Sequence, residues 1–149
     1  MSAIENPVFV LKVALKYQKR IWRKIAIRGN QTLATLHDAI FNAFDRDDDH
    51  LYSFYFSSKP TSTSRSRLHG ASQYGCPNSE TDDRADCTRI DSLHLKLKSR
   101  LEYLFDYGDE WWHEITLEEI QPRRSEVAYP NIIASQGDSP AQYSDDEDG

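Results

Sequence analysis

The chain has 149 residues, 28% of them charged, and a net charge of −6. That length suits one domain, and the acidic balance argues against general nucleic-acid binding, which relies on clustered cations. No run approaches eighteen apolar residues, so no membrane-spanning helix is expected, and the N-terminus MSAIENPVFV lacks the basic-then-apolar layout of a signal peptide; the expectation is a cytoplasmic protein.

Val8–Tyr17 alternates, with Phe9, Leu11, Val13, Leu15 and Tyr17 on one side, and reads as a half-buried strand. Ile21–Arg28 does the same, although Arg23 interrupts its apolar side, and the short link Gln18–Arg20 predicts antiparallel pairing. Gly29-Asn30 ends this strand as a turn. Thr32 reads as an N-cap, followed by Leu33, Leu36, His37, Ile40, Phe41 and Phe44 at helical spacing. The helix is predicted to end near Asp45, and Leu51–Phe56, aromatic on both faces, to form a central strand.

Ser57–Thr88 is rich in Ser, Thr, Gly and Asp and nearly free of large apolar residues, so it reads as a long mobile insert. Limited proteolysis is expected there first, and deletion of Ser62–Asp82 is expected to leave the fold intact. Ile90–Leu97 suits a short helix capped by Asp91, or a strand. Leu101–Asp106 and Trp111–Glu119 form a hairpin around Tyr107-Gly108-Asp109, where Gly108 supplies positive φ. Residues 123–149 read as a solvated, proline-containing acidic tail, with Val127–Ile133 a possible edge segment. The predicted fold is α+β: a small, mostly antiparallel sheet on one main helix within residues 1–122. Trp22, Leu36, Ile40, Phe54, Phe105 and Ile115 are the predicted core anchors.

Two tracts combine carboxylates with imidazole, Asp47-Asp48-Asp49-His50 and Asp106 to His113. Mixed His/carboxylate sets hold zinc or manganese, and all-oxygen sets hold harder cations. Asp49, His50, Asp106, Asp109 and His113 are therefore the candidate catalytic or divalent-metal residues, expected toward one end of the sheet. Their spacing matches no established metal motif, and structural turns are the competing role; no cofactor is expected otherwise. His37 and His113 fall on apolar faces, where satisfied core histidines are the competing reading. Cys76 and Cys87 with His69 lack zinc-finger spacing, and a disulfide between the two needs an oxidising compartment. No nucleophile elbow or phosphate-binding loop is present.

The charge is unevenly divided. Seven basic residues oppose Glu5 within residues 1–30, a net of +6, which leaves −12 for the remainder. Lys12, Lys16, Lys24 and Arg28 fall on the non-core side of the first two strands, with Trp22 placed to stack on a base. They form the candidate nucleic-acid surface, against the alternatives of a solvated face or one paired with the acid-rich hairpin.

Three stretches, VFVLKVALKYQKRIWRKIAIRGNQTLATLHDAIFNAF, DDDHLYSFYF and LEYLFDYGDEWWHEITLEEI, occur in an order and spacing that resembles the plasmid pRiA4b ORF-3-like family. Ile21-Trp22-Arg23, Leu36-His37, Asp49-His50-Leu51 and Asp106-Tyr107-Gly108-Asp109-Glu110-Trp111 fit its pattern. The resemblance covers most of residues 8–120. It implies a compact α+β fold and a link to plasmids and mobile elements, with no established reaction. The functional expectation is a non-enzymatic binding or adaptor module for a protein or nucleic-acid partner. The alternative is a metal-dependent hydrolase, with phosphodiesters as the candidate substrate class, built on the two Asp/His tracts.

Overall fold

A computed structural model describes residues 7–44, 46, 52–56, 72–75, 83–106, 110–122, 124 and 126–138. The first alternating run is strand β1 (Val8–Leu15), which pairs antiparallel with β2 (Gln18–Arg28). The link is shorter than expected, Lys16-Tyr17 alone. At the end of β2, Gly29 is required by packing, because a Cβ there would lie 2.9 Å from Phe9 Cε2 and 3.2 Å from Asp91 Cβ. Helix α1 (Leu33–Ala43) follows, and Thr32 caps it by accepting from the Thr35 amide at 3.2 Å.

Strand β3 (Tyr52–Phe56) lies between β4 (Ser72–Gly75) and β6 (Arg100–Phe105). A two-residue β5 (Asp83–Arg84) joins β4 in parallel. Strand β6 pairs with β7 (Trp111–Gln121), and β7 returns to pair with β1. Strand β8 (Asn131–Gln136) covers the outer edge of β2. Among the described residues the result is one eight-stranded sheet in the order β5-β4-β3-β6-β7-β1-β2-β8, antiparallel throughout except at β4–β5.

Helix α1 lies on one face of this sheet. Leu33, Leu36 and Ile40 meet Leu11, Ile25, Phe54, Tyr103, Phe105 and Ile115 in one buried cluster. Leu36, Ile40, Phe54, Phe105 and Ile115 are core anchors as predicted, all fully buried. Trp22 is not. It stands half-buried on the opposite face, because strand alternation carries it to the side of Lys12 and Lys24.

The polar segment 57–88 is more than a loop. Its residues 72–75 pair with β3, and Ala85 is fully buried against the core in a 3₁₀ turn. Residues 57–71 and 76–82, including Cys76, His69 and most of the proposed deletion, lie outside the described residues; Cys87 is exposed and free. Ile90–Leu93 forms a second 3₁₀ turn, with Arg89 rather than Asp91 at its cap position. The edge segment expected at Val127–Ile133 lies slightly later, as β8. No helix among the described residues is long and apolar enough to cross a membrane.

Candidate functional site

The outer face of β1 and β2 carries the predicted basic residues, but they are not a bare cationic surface. Lys12 and Lys24 place their ammonium groups 5.1 and 5.6 Å from the Trp22 ring centre. Lys24 also pairs with Glu118 (2.9 Å) and Lys16 with the buried Glu102 (3.1 Å), while Lys19 pairs with Glu114 (3.3 Å). Lys16 lies 5.1 Å from the Trp112 ring as well. The cause is topological: β7 docks beside β1, so the acids of the C-terminal hairpin share a face with the lysines. Arg28 lies half-buried near the end of β2, away from these pairs.

Of the Asp/His candidates, Asp49, His50 and Asp109 lie outside the described residues. Asp106 is buried just past β6 at φ 66°, and its carbonyl accepts from the Glu110 amide. His113 lies opposite Tyr103 in the β6–β7 ladder and is fully buried. Among the described residues, no group of three or more His, Cys, Asp or Glu is placed to hold a metal ion.

Both ring nitrogens of His113 are engaged. Arg46 Nη2 donates to His113 Nε2 at 2.7 Å, and Nδ1 lies 3.3 Å from the Tyr103 carbonyl. A guanidinium has no lone pair to offer, so Nε2 is the acceptor and Nδ1 carries the proton. Burial first, and the Arg46 charge second, hold this imidazole well below its ordinary pKa. His37 is the satisfied core histidine. Its Nδ1 meets the Tyr103 hydroxyl at 2.6 Å, and its ring stacks on Tyr52 at 3.7 Å.

Sequence reading missed Arg46 and Tyr103. Arg46 lies within FDRDDDH, a run that reads as a solvated helix end. It is nevertheless 8% exposed, with its guanidinium carbon 4.9, 5.1 and 5.6 Å from the rings of Phe105, Phe44 and Trp111. Burial lowers its pKa to about 10. Among the described residues its Nη1 has no hydrogen-bond partner, and neither has the buried indole Nε1 of the adjacent Trp111. No signal in the sequence marks Arg46, because it follows the last residue of the helical rhythm. Tyr103 was legible only as one more strand aromatic, yet its ring lies 4.7 Å from Phe54 and 4.9 Å from His113.

Trp111 also lines a cavity of about 210 Å³ at this end of the sheet, with Leu15, Tyr17, Gln18, Glu110 and Trp112. Tyr17 is 77% exposed beside it. Apolar walls with a few polar groups are the usual makeup of a binding site.

A family model described as plasmid pRiA4b ORF-3-like protein matches residues 7–149. Among solved structures, the chain is similar to a crystal structure of a protein of unknown function from Methanosarcina mazei Go1. The TM-score is 0.76 and the identity 27%, over 92% of this chain and 73% of that one. No curated protein matches.

Proposed function

The chain belongs to the plasmid pRiA4b ORF-3-like family, and from that premise we propose that it is a non-enzymatic binding module, an adaptor in plasmid or mobile-element biology that engages a protein partner. The supporting observation is the aromatic cavity where Tyr17, Trp111 and Trp112 come together at the end of the sheet. Aromatic side chains with a polar tip are the groups that dominate protein interfaces. Nucleic acid is the weaker reading, because Lys16, Lys24 and Lys19 each face a glutamate and release few counterions on meeting a phosphate.

The hydrolase alternative, with a divalent metal on the Asp/His tracts, has less support. His113 ligates a metal only by giving up its Arg46 hydrogen bond in a fully buried position. We place the module in the cytoplasm.

The test is affinity capture from the native host, with and without nuclease, using the wild-type chain beside a Tyr17→Ala/Trp112→Ala variant and a Lys12→Glu/Lys24→Glu variant. The reading expects a nuclease-resistant protein that the aromatic variant loses and the charge variant keeps. Capture that nuclease abolishes, or that only the charge variant loses, overturns it in favour of nucleic acid.

A further inference from the structure

We propose that Arg46 and Trp111 form an oxyanion-binding site that takes the carboxylate or phosphate group of an incoming ligand. The proposal rests on reading this end of the sheet as a binding site, and adds the chemistry of what it binds.

The first observation is an uncompensated charge. A buried cation is expensive unless paired and hydrogen-bonded. Arg46 is buried, and its one side-chain hydrogen bond among the described residues goes to a neutral imidazole. Three aromatic faces surround it, a setting that favours a cation but provides no negative charge. No carboxylate of the described residues pairs with it.

The second observation is independent of charge. Buried polar groups nearly always have a partner, and those that lack one require an explanation. Two such donors lack a partner among the described residues on neighbouring side chains here, Arg46 Nη1 and Trp111 Nε1. The guanidinium carbon is 5.6 Å from the Trp111 ring centre, and both donors seek an acceptor. An oxyanion presents several lone pairs and accepts charge-assisted hydrogen bonds at about 2.7–2.9 Å. Such a group supplies the negative charge and the lone pairs that these donors lack.

The third is access. Trp111 is shared between the Arg46 cluster and the wall of the open cavity. A ligand seated against Tyr17 and Trp112 touches Trp111, which borders Arg46, although Arg46 itself does not line the cavity. His113 fixes one arm of the guanidinium, and as a neutral acceptor it orients the cation without cancelling its charge.

The test is a titration of the purified full-length chain with sodium phosphate and, separately, sodium acetate, at ionic strength held constant with chloride. The readout is the set of three indole N–H signals in a proton–nitrogen correlation spectrum, in which Trp111→Phe assigns the Trp111 signal by removing it. The expected result is a saturable shift confined mainly to Trp111, and the stronger of the two anions identifies the preferred group. Arg46→Met, close in volume and uncharged, should weaken that binding at least tenfold while the other indole signals stay at folded positions. Should Arg46→Met fail to fold, Arg46→Lys provides the second reading: it keeps the charge, loses the fork, and should bind several-fold more weakly. Shifts with neither anion, shifts that grow linearly without saturation, or equal responses from wild type and the folded variant overturn the proposal. Because the probes are free ions, saturable anion binding alongside failed protein capture overturns the partner reading alone. Capture without any anion response overturns the oxyanion site alone.

Discussion

Arg23 and Arg46 approach the same ring, their guanidinium carbons 4.9 and 5.1 Å from the centre of Phe44, and both are buried. Their surroundings differ. Arg23 Nε donates to the Ala43 carbonyl at 2.9 Å, at the end of α1, and Nη1 reaches the carbonyls of Trp22 (2.9 Å) and Gln136 (3.1 Å). It thereby ties helix α1, β2 and the edge strand β8 together, and its cation complements the negative end of the helix dipole. Among the described residues Arg46 has no such carbonyls. Its side chain has one neutral acceptor, three aromatic faces and an unused arm. The same residue type serves structure where the backbone supplies acceptors, and remains available to a ligand where it does not.

The ring between them gives the largest expected effect. Phe44→Ala removes the floor beneath both guanidinium groups and leaves a cavity, at a cost of about 3–5 kcal/mol in urea unfolding. A loss below about 1 kcal/mol would mean that neither arginine depends on that packing.

Next in size is Arg23→Met. It leaves one buried and two part-buried carbonyls without their donor, each bond to a charged group being worth roughly 1.5–3 kcal/mol and the set less than additive. A loss of about 3 kcal/mol with an unchanged denaturant slope is expected. A near-neutral result would erase the contrast with Arg46.

A smaller effect appears with pH. His113 stays neutral in the fold, whereas in the unfolded chain a histidine gains its proton near about pH 6.5. Below that pH the unfolded state binds more protons, so stability present above it is lost as pH falls, by up to about 1.4 kcal/mol per pH unit. His113→Gln should remove that part of the slope when melting is followed between about pH 7 and 5. An unchanged slope would mean that His113 is protonated beside Arg46.

Much of this contrast was beyond sequence reading. Strands β1 and β2, the Thr32 cap and the β6–β7 pairing were legible because alternation and helical spacing recur over many residues. Arg23 was visible only as an interruption in an apolar side, since the carbonyls that satisfy it come from Ala43 and Gln136, 20 and 113 residues away in the chain. Strand β4 was hidden by composition: Ser72–Gly75 pairs through backbone groups with β3, and backbone pairing leaves no apolar pattern. The basic face was read correctly as a face, but its neutralisation required knowing that β7 pairs with β1. Of the Asp/His tracts, Asp106 and His113 could be placed, and the buried contact of His113 proved to be with an arginine that no motif flags.

The most direct measurement is the stability of Arg46→Met in a chloride buffer free of phosphate and carboxylates. If Arg46 carries an uncompensated charge held for a ligand, its replacement by an apolar side chain of similar volume leaves stability within about 1 kcal/mol of wild type or raises it. A loss of about 3 kcal/mol or more, the cost of breaking a buried pair, would show that the chain already supplies the counter-charge and would contradict the account.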